Sequence, residues 1–159
     1  MYTIVEINST GKVNAELNED GWVATPDYVA VIDGSTSKGT HDYGGKKSGR
    51  LAMEIIREAI SLLRPDCGIR ECADELSLAL ANYYVQHHMI NEVASHTENR
   101  LTASVVIFSV NRKEVWQIGD CPCMIGNNIF ENPKYWELPM AQARALFLEN
   151  ELRIGKSGS

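Results

Sequence analysis

Residues 101–110 read LTASVVIFSV, a run that is apolar on both alternating faces. Such a run suits a central strand of a sheet that is covered on both sides. The rest of the chain therefore has to supply neighbouring strands and covering layers. Asn111-Arg112-Lys113 makes a turn into Glu114–Ile118, so the central strand continues as a hairpin. Gly119-Asp120 breaks that hairpin, Cys121–Ile125 resumes as a strand, and Asn127-Asn128 signals another turn.

Upstream, residues 2–7 (YTIVEI) are β-branched and partly alternating, which predicts a strand. Trp22–Thr25 and Tyr28–Ile32 predict two more, joined by a tight turn at Pro26-Asp27. The glycine-rich polar stretch STSKGTHDYGGKKSG must be a loop. Helical spacing then predicts a helix over about 46–63, with Leu51, Ile55, Ala59 and Leu62 on one face. Arg64-Pro65 ends it, because a residue before proline is pushed out of the helical region, and Asp66 is a candidate cap for the next helix. That second helix spans about 69–93, carrying Cys72, Leu76, Leu80 and Tyr83, followed by a polar loop over 95–99. The segment from about Glu137 to Leu152 is rich in Ala, Leu, Met and Glu and predicts a last helix. Strands, two long helices, strands and a helix in segregated runs predict an α+β fold, a sheet sandwich with helices outside.

A chain of 159 residues with 44% hydrophobic and 23% charged side chains is expected to be one globular domain over residues 1–159. It can bury about 70% of the surface it exposes when unfolded. A net charge of −6 argues against a phosphate-backbone binder, so no nucleic-acid partner is expected. No stretch reaches the ~18 apolar residues of a membrane span. MYTIVEINST has no basic flank and carries Glu6 in its apolar run, which does not fit a signal peptide and places the protein in the cytoplasm. Cys67, Cys72, Cys121 and Cys123 fall in C-x4-C and C-x-C spacings that support neither zinc nor a disulfide framework, leaving free thiols that act as small hydrophobes.

Asn18-Glu19-Asp20-Gly21 and Asp33-Gly34 lie at the outer ends of the predicted hairpin. Each alone is good turn chemistry. Pairing the two strands, however, sets these carboxylates side by side, where they repel unless a cation or protons lie between them. Hard divalent cations such as Mg²⁺ or Mn²⁺ suit that donor type, and a glycine after Asp33 lets a backbone carbonyl approach an ion.

Taken in order, Asn18-Glu19-Asp20, Val31-Ile32-Asp33-Gly34, Gly44-Gly45-x-x-Ser48-Gly49-x-x-Ala52, Leu101-Thr102-Ala103-Ser104 and Gln117-Ile118-Gly119-Asp120 resemble the metal-dependent protein phosphatases of the type 2C class over roughly residues 1–130. The resemblance implies an α-β-β-α sandwich of two antiparallel sheets flanked by helices, incomplete in this chain. It implies two Mg²⁺ or Mn²⁺ ions, with Asp33 bridging them, the Gly34 carbonyl on one, Glu19 serving that ion, Asp20 supporting the shell and Asp120 helping to hold a third ion. The implied reaction is hydrolysis of a phosphoserine or phosphothreonine phosphoprotein by a metal-bridging water, with no side-chain nucleophile.

Three departures stand out. The family's phosphate-gripping arginine position is Ala15, with Lys12, Lys38 and His41 as possible substitutes or plain loop residues. STSKGTHDY lengthens the loop between Asp33-Gly34 and Gly44-Gly45. The family's later Asp-Gly and Asp-Asn metal segments have no counterpart before Ser159, and Glu149 and Glu151 do not match them. The alternatives are a fragment of a longer phosphatase, a non-catalytic phosphatase-like binding module with an incomplete metal site, or an unrelated α+β domain with acidic turns. Missing strands would leave sheet edges for a homodimer to cover. His87-His88 point about 100° apart on a helix and share no face, and neither a serine-hydrolase set nor a nucleotide-binding phosphate loop is present.

Overall fold

The computed structural model describes residues 2–10, 18–133, 135 and 137–157. Its centre is an antiparallel sheet of four strands in the order β1-β2-β3-β4: β1 (Asp20–Ala24), β2 (Tyr28–Ser35), β3 (Thr102–Ser109) and β4 (Glu114–Ile118). The central run of the sequence is β3, hydrogen-bonded between β2 and β4. A second antiparallel sheet has two strands, β5 (Cys123–Ile125) and β6 (Asn128–Phe130), joined through Gly126 at positive φ. The fold is α+β, as the segregated element order predicts, with one four-stranded and one two-stranded antiparallel sheet.

Helix α1 (Ser48–Ser61) crosses β1, β2 and β3 on one face of the larger sheet. Tyr28, Ala30 and Ile32 of β2, Val105 and Ile107 of β3 and Trp116 of β4 point into this core, every second residue as the pleat dictates. The helix meets them with Met53, Ile56 and Ile60. That face is turned from the predicted one: Leu62 is 77% exposed. Leu51 and Ile55 instead serve a second cluster with Tyr43, Tyr84, Met89 and Val93. The helix is wedged between two cores, so no single stripe describes it.

The predicted helix over 69–93 is two helices, α2 (Ile69–Gln86) and α3 (Ile90–Ser95). His88 adopts φ 55°, and Met89 N–H donates to Tyr84 O at 2.8 Å while His88 N–H donates to Val85 O at 3.2 Å. This is the six-to-one, five-to-two pattern of a Schellman cap, with a histidine where glycine is usual. Met89, just past the left-handed residue, is buried in one cluster with Tyr84, the hydrophobic contact that accompanies the motif. A 3₁₀ turn over Thr97–Asn99 occupies the predicted polar loop. Asp66 does not cap α2; its N-cap is Gly68.

Residues 2–7 form no strand. They find no ladder partner, and Val5 stands 95% exposed. Tyr2 Oη donates to Thr25 O at 2.6 Å, tying this segment to the end of β1. The sheet face away from α1 exposes Trp22 and Val31, neighbours across the β1–β2 ladder. Helix α4 (Glu137–Ser157) carries exposed Leu146, Phe147 and Leu152.

Candidate functional site

Register builds the site. Asp20 is paired with Asp33 across β1–β2, and Asp33 with Ser104 across β2–β3. Paired residues share a face, so the three stand in a row at one end of the sheet, on the side away from α1. The alternation of β2 settles the side: Ile32 and Gly34 are buried under α1 while Asp33 is exposed.

Asp120 joins this row through the turn after β4. Gly119 takes φ 89°, and a Cβ there would stand 2.3 Å from Ser104 Oγ. With glycine in place, Asp120 N–H donates to Ser104 Oγ at 3.2 Å, and the Ser104 hydroxyl donates back to Asp120 Oδ1. Asn132 Nδ2 holds the Gly119 carbonyl at 2.9 Å and fixes the turn. Cys121 follows, with its carbonyl accepting from Gln117 Nε2 at 2.5 Å. Burial pushes the Cys121 thiol up to about 11, helped by the charges of Asp33, Asp120 and Asp20 and opposed by a backbone hydrogen bond from Asp33. All three aspartates therefore act on one neutral thiol.

Glu19 is held by separate contacts. Its carboxylate oxygens each take the Thr36 hydroxyl at 2.5 Å, Lys47 Nζ stands 3.7 Å away, and Gly49 at the start of α1 packs against it. Its backbone carbonyl accepts from Gly34 N–H at 3.1 Å. Gly34 itself lies against Gly49, so the structure gives this glycine a packing role that the dipeptide Asp33-Gly34 does not disclose.

The donor set suits a hard divalent ion in kind, being carboxylate oxygen, while a neutral Cys121 thiol does not. Among the described residues, no three His, Cys, Asp or Glu side chains form a group able to hold a metal ion. Ser104, Cys121, Thr36 and Lys47 escape sequence reasoning, since they enter the site only through register and turn geometry. Of the proposed phosphate-gripping residues, His41 is 2.6 Å from Glu92 and edge-on to Tyr43. Lys38 lines a separate groove with Glu98 and Asn99, and Lys12 and Ala15 lie outside the described residues. His87 stacks on Tyr83, apart from His88 in its left-handed cap. The four cysteines are free thiols, Cys67 and Cys72 buried. Among the described residues no helix is long and apolar enough to cross a membrane.

No family model, curated protein or solved structure matches this chain.

Proposed function

We propose that this chain is a phosphatase domain of the type 2C class with an incomplete metal site, in which Asp20, Asp33 and Asp120, which form no three-residue metal group as they stand, are drawn onto Mg²⁺ or Mn²⁺ by the ion itself for hydrolysis of a phosphoserine or phosphothreonine phosphoprotein. The observation that carries the reading is the Asp20–Asp33 register with Asp120 fastened beside it through Ser104. Three carboxylates at one sheet end repel one another, and a divalent cation removes that cost. When bound, such an ion supplies an activated water and charge stabilisation at the phosphoryl oxygens. The chain's own part is to fix the carboxylates: the ladder sets two of them, and the Gly119 turn sets the third. In this reading the protein works in the cytoplasm, and a second copy covers the exposed sheet edges.

The second reading, a binding module without turnover, is favoured by the engagement of the Glu19 carboxylate with Thr36 and Lys47. It retains the cation and loses the reaction.

Mn²⁺-dependent hydrolysis of p-nitrophenyl phosphate, paired with Mn²⁺ titration calorimetry, separates the two. Binding and turnover that both vanish in Asp33→Asn support the phosphatase. Binding without turnover supports the module. Neither binding nor turnover overturns both.

A further inference from the structure

Cys67 and Cys72 flank the start of α2. With Gly68 as N-cap, Cys67 is the residue before the cap and Cys72 the fourth residue of the helix. These are the two positions of a hydrophobic staple, where a side chain ahead of the helix packs on one in its first turn. Here both members are thiols, 1% and 0% exposed, in one cluster with Tyr28 and Ile60. The Cys67 thiol donates to the Gly68 carbonyl at 3.2 Å, which holds it at the start of the helix. The main chain fixes the approach: Cys67 N–H donates to Arg64 O at 3.1 Å and Cys72 N–H to Gly68 O at 2.8 Å.

We infer that Cys67 and Cys72 are an oxidisable staple, which a peroxide converts into an intramolecular disulfide pinning α2 to the α1–α2 turn. One thiol, as its thiolate, attacks the peroxide, takes one oxygen as a sulfenic acid and releases water. The second thiol then attacks that sulfur, forming the S–S bond and releasing a second water. Two thiol hydrogens and two electrons leave the protein, and hydrogen peroxide is reduced to two waters. Cys67 lines a cavity of about 260 Å³ between α1 and α2, bordered by Ala59, Leu63 and Glu71, and this cavity is the route the inference assigns to a small neutral oxidant. Burial raises both thiols, that of Cys72 to about 12, so the first step is slow at neutral pH and quickens in alkali.

The test uses the whole chain carrying Cys121→Ser and Cys123→Ser, exposed to hydrogen peroxide under native conditions. The expected result is a mass loss of two hydrogens, a peptide linking Cys67 to Cys72 in a non-reducing digest, and a thermal midpoint raised by ~5 °C that dithiothreitol reverses. Oxygen addition at either cysteine without a link overturns the inference. So does persistence of both thiols at pH 9 under peroxide that oxidises the same chain in urea. If the double variant does not fold, the unsubstituted chain is digested instead, and a link confined to Cys121 and Cys123 counts against it.

Discussion

Gly34 of β2 and Gly49 of α1 meet backbone to backbone: a Cβ on Gly34 would lie 2.0 Å from the Gly49 carbonyl oxygen, and one on Gly49 would lie 2.7 Å from that of Gly34. Neither clash can be relieved by a rotamer change, because main chain meets main chain. Gly34→Ala and Gly49→Ala are each expected to cost at least ~2 kcal/mol, an overpacking penalty. Urea unfolding checks this, and a loss under half that size would show that α1 can lift from the sheet freely.

Asp20 faces Asp33 across the ladder, and like charges directly opposite destabilise a sheet. Asp20→Asn is expected to raise the thermal midpoint in EDTA and to abolish the further rise that Mn²⁺ gives the unsubstituted chain. Parallel melts with and without the ion read both effects.

The buried Leu101 N–H donates to Tyr84 Oη at 2.7 Å, just ahead of β3. Tyr84→Phe keeps the ring and strands that donor, at a cost of about 1–3 kcal/mol. Equilibrium unfolding would show it, with the far-ultraviolet spectrum unchanged.

Burial pushes the Glu54 carboxyl up, but hydrogen bonds and charge from Lys46 and Arg50 overcome this and leave it below its ordinary 4.5. A depressed folded-state value gives stability that is present above the ordinary value and lost as pH falls through the folded one. Glu54→Gln should therefore flatten the acid limb of the stability curve below about pH 4.5 and lower the plateau at neutral pH. An unchanged acid limb would mean the two ion pairs are too solvated to matter.

His88 holds a left-handed conformation at the end of α2. His88→Gly removes the Cβ conflict and is expected to stabilise the chain by about 0.5–1 kcal/mol. Denaturant midpoints of the two proteins decide it.

The histidine cap also marks where sequence reasoning stopped. Nothing in QHHMIN has the glycine or proline that usually ends a helix, so the break at His88 is invisible until Tyr84 and Met89 are seen to pack. Residues 2–7 fail for the opposite reason: their pattern is right for a strand, but a strand needs a neighbour, which no local pattern supplies. The pairing of β1 with β2 and of β3 with β4 was legible, because short turns at Pro26-Asp27 and Asn111–Lys113 fix both hairpins. Asp20, Asp33 and Asp120 were legible as acids at strand ends. Ser104 as the post that carries Asp120 was not, since its place depends on a β2–β3 register that no turn sets.

That register has a bearing on how the chain reaches its native state. The Asp20–Asp33 pair closes within one hairpin, whereas Asp33 meets Ser104 only after α1, α2 and α3 have been spanned. Such a distant closure is entropically slow, and the hairpins and helices form ahead of it. The third carboxylate thus arrives beside the first two late on the folding pathway, in the same closure that brings Val105 and Ile107 of β3 onto Ile32 and Ala30 of β2, so the repulsion is met together with the burial that offsets it.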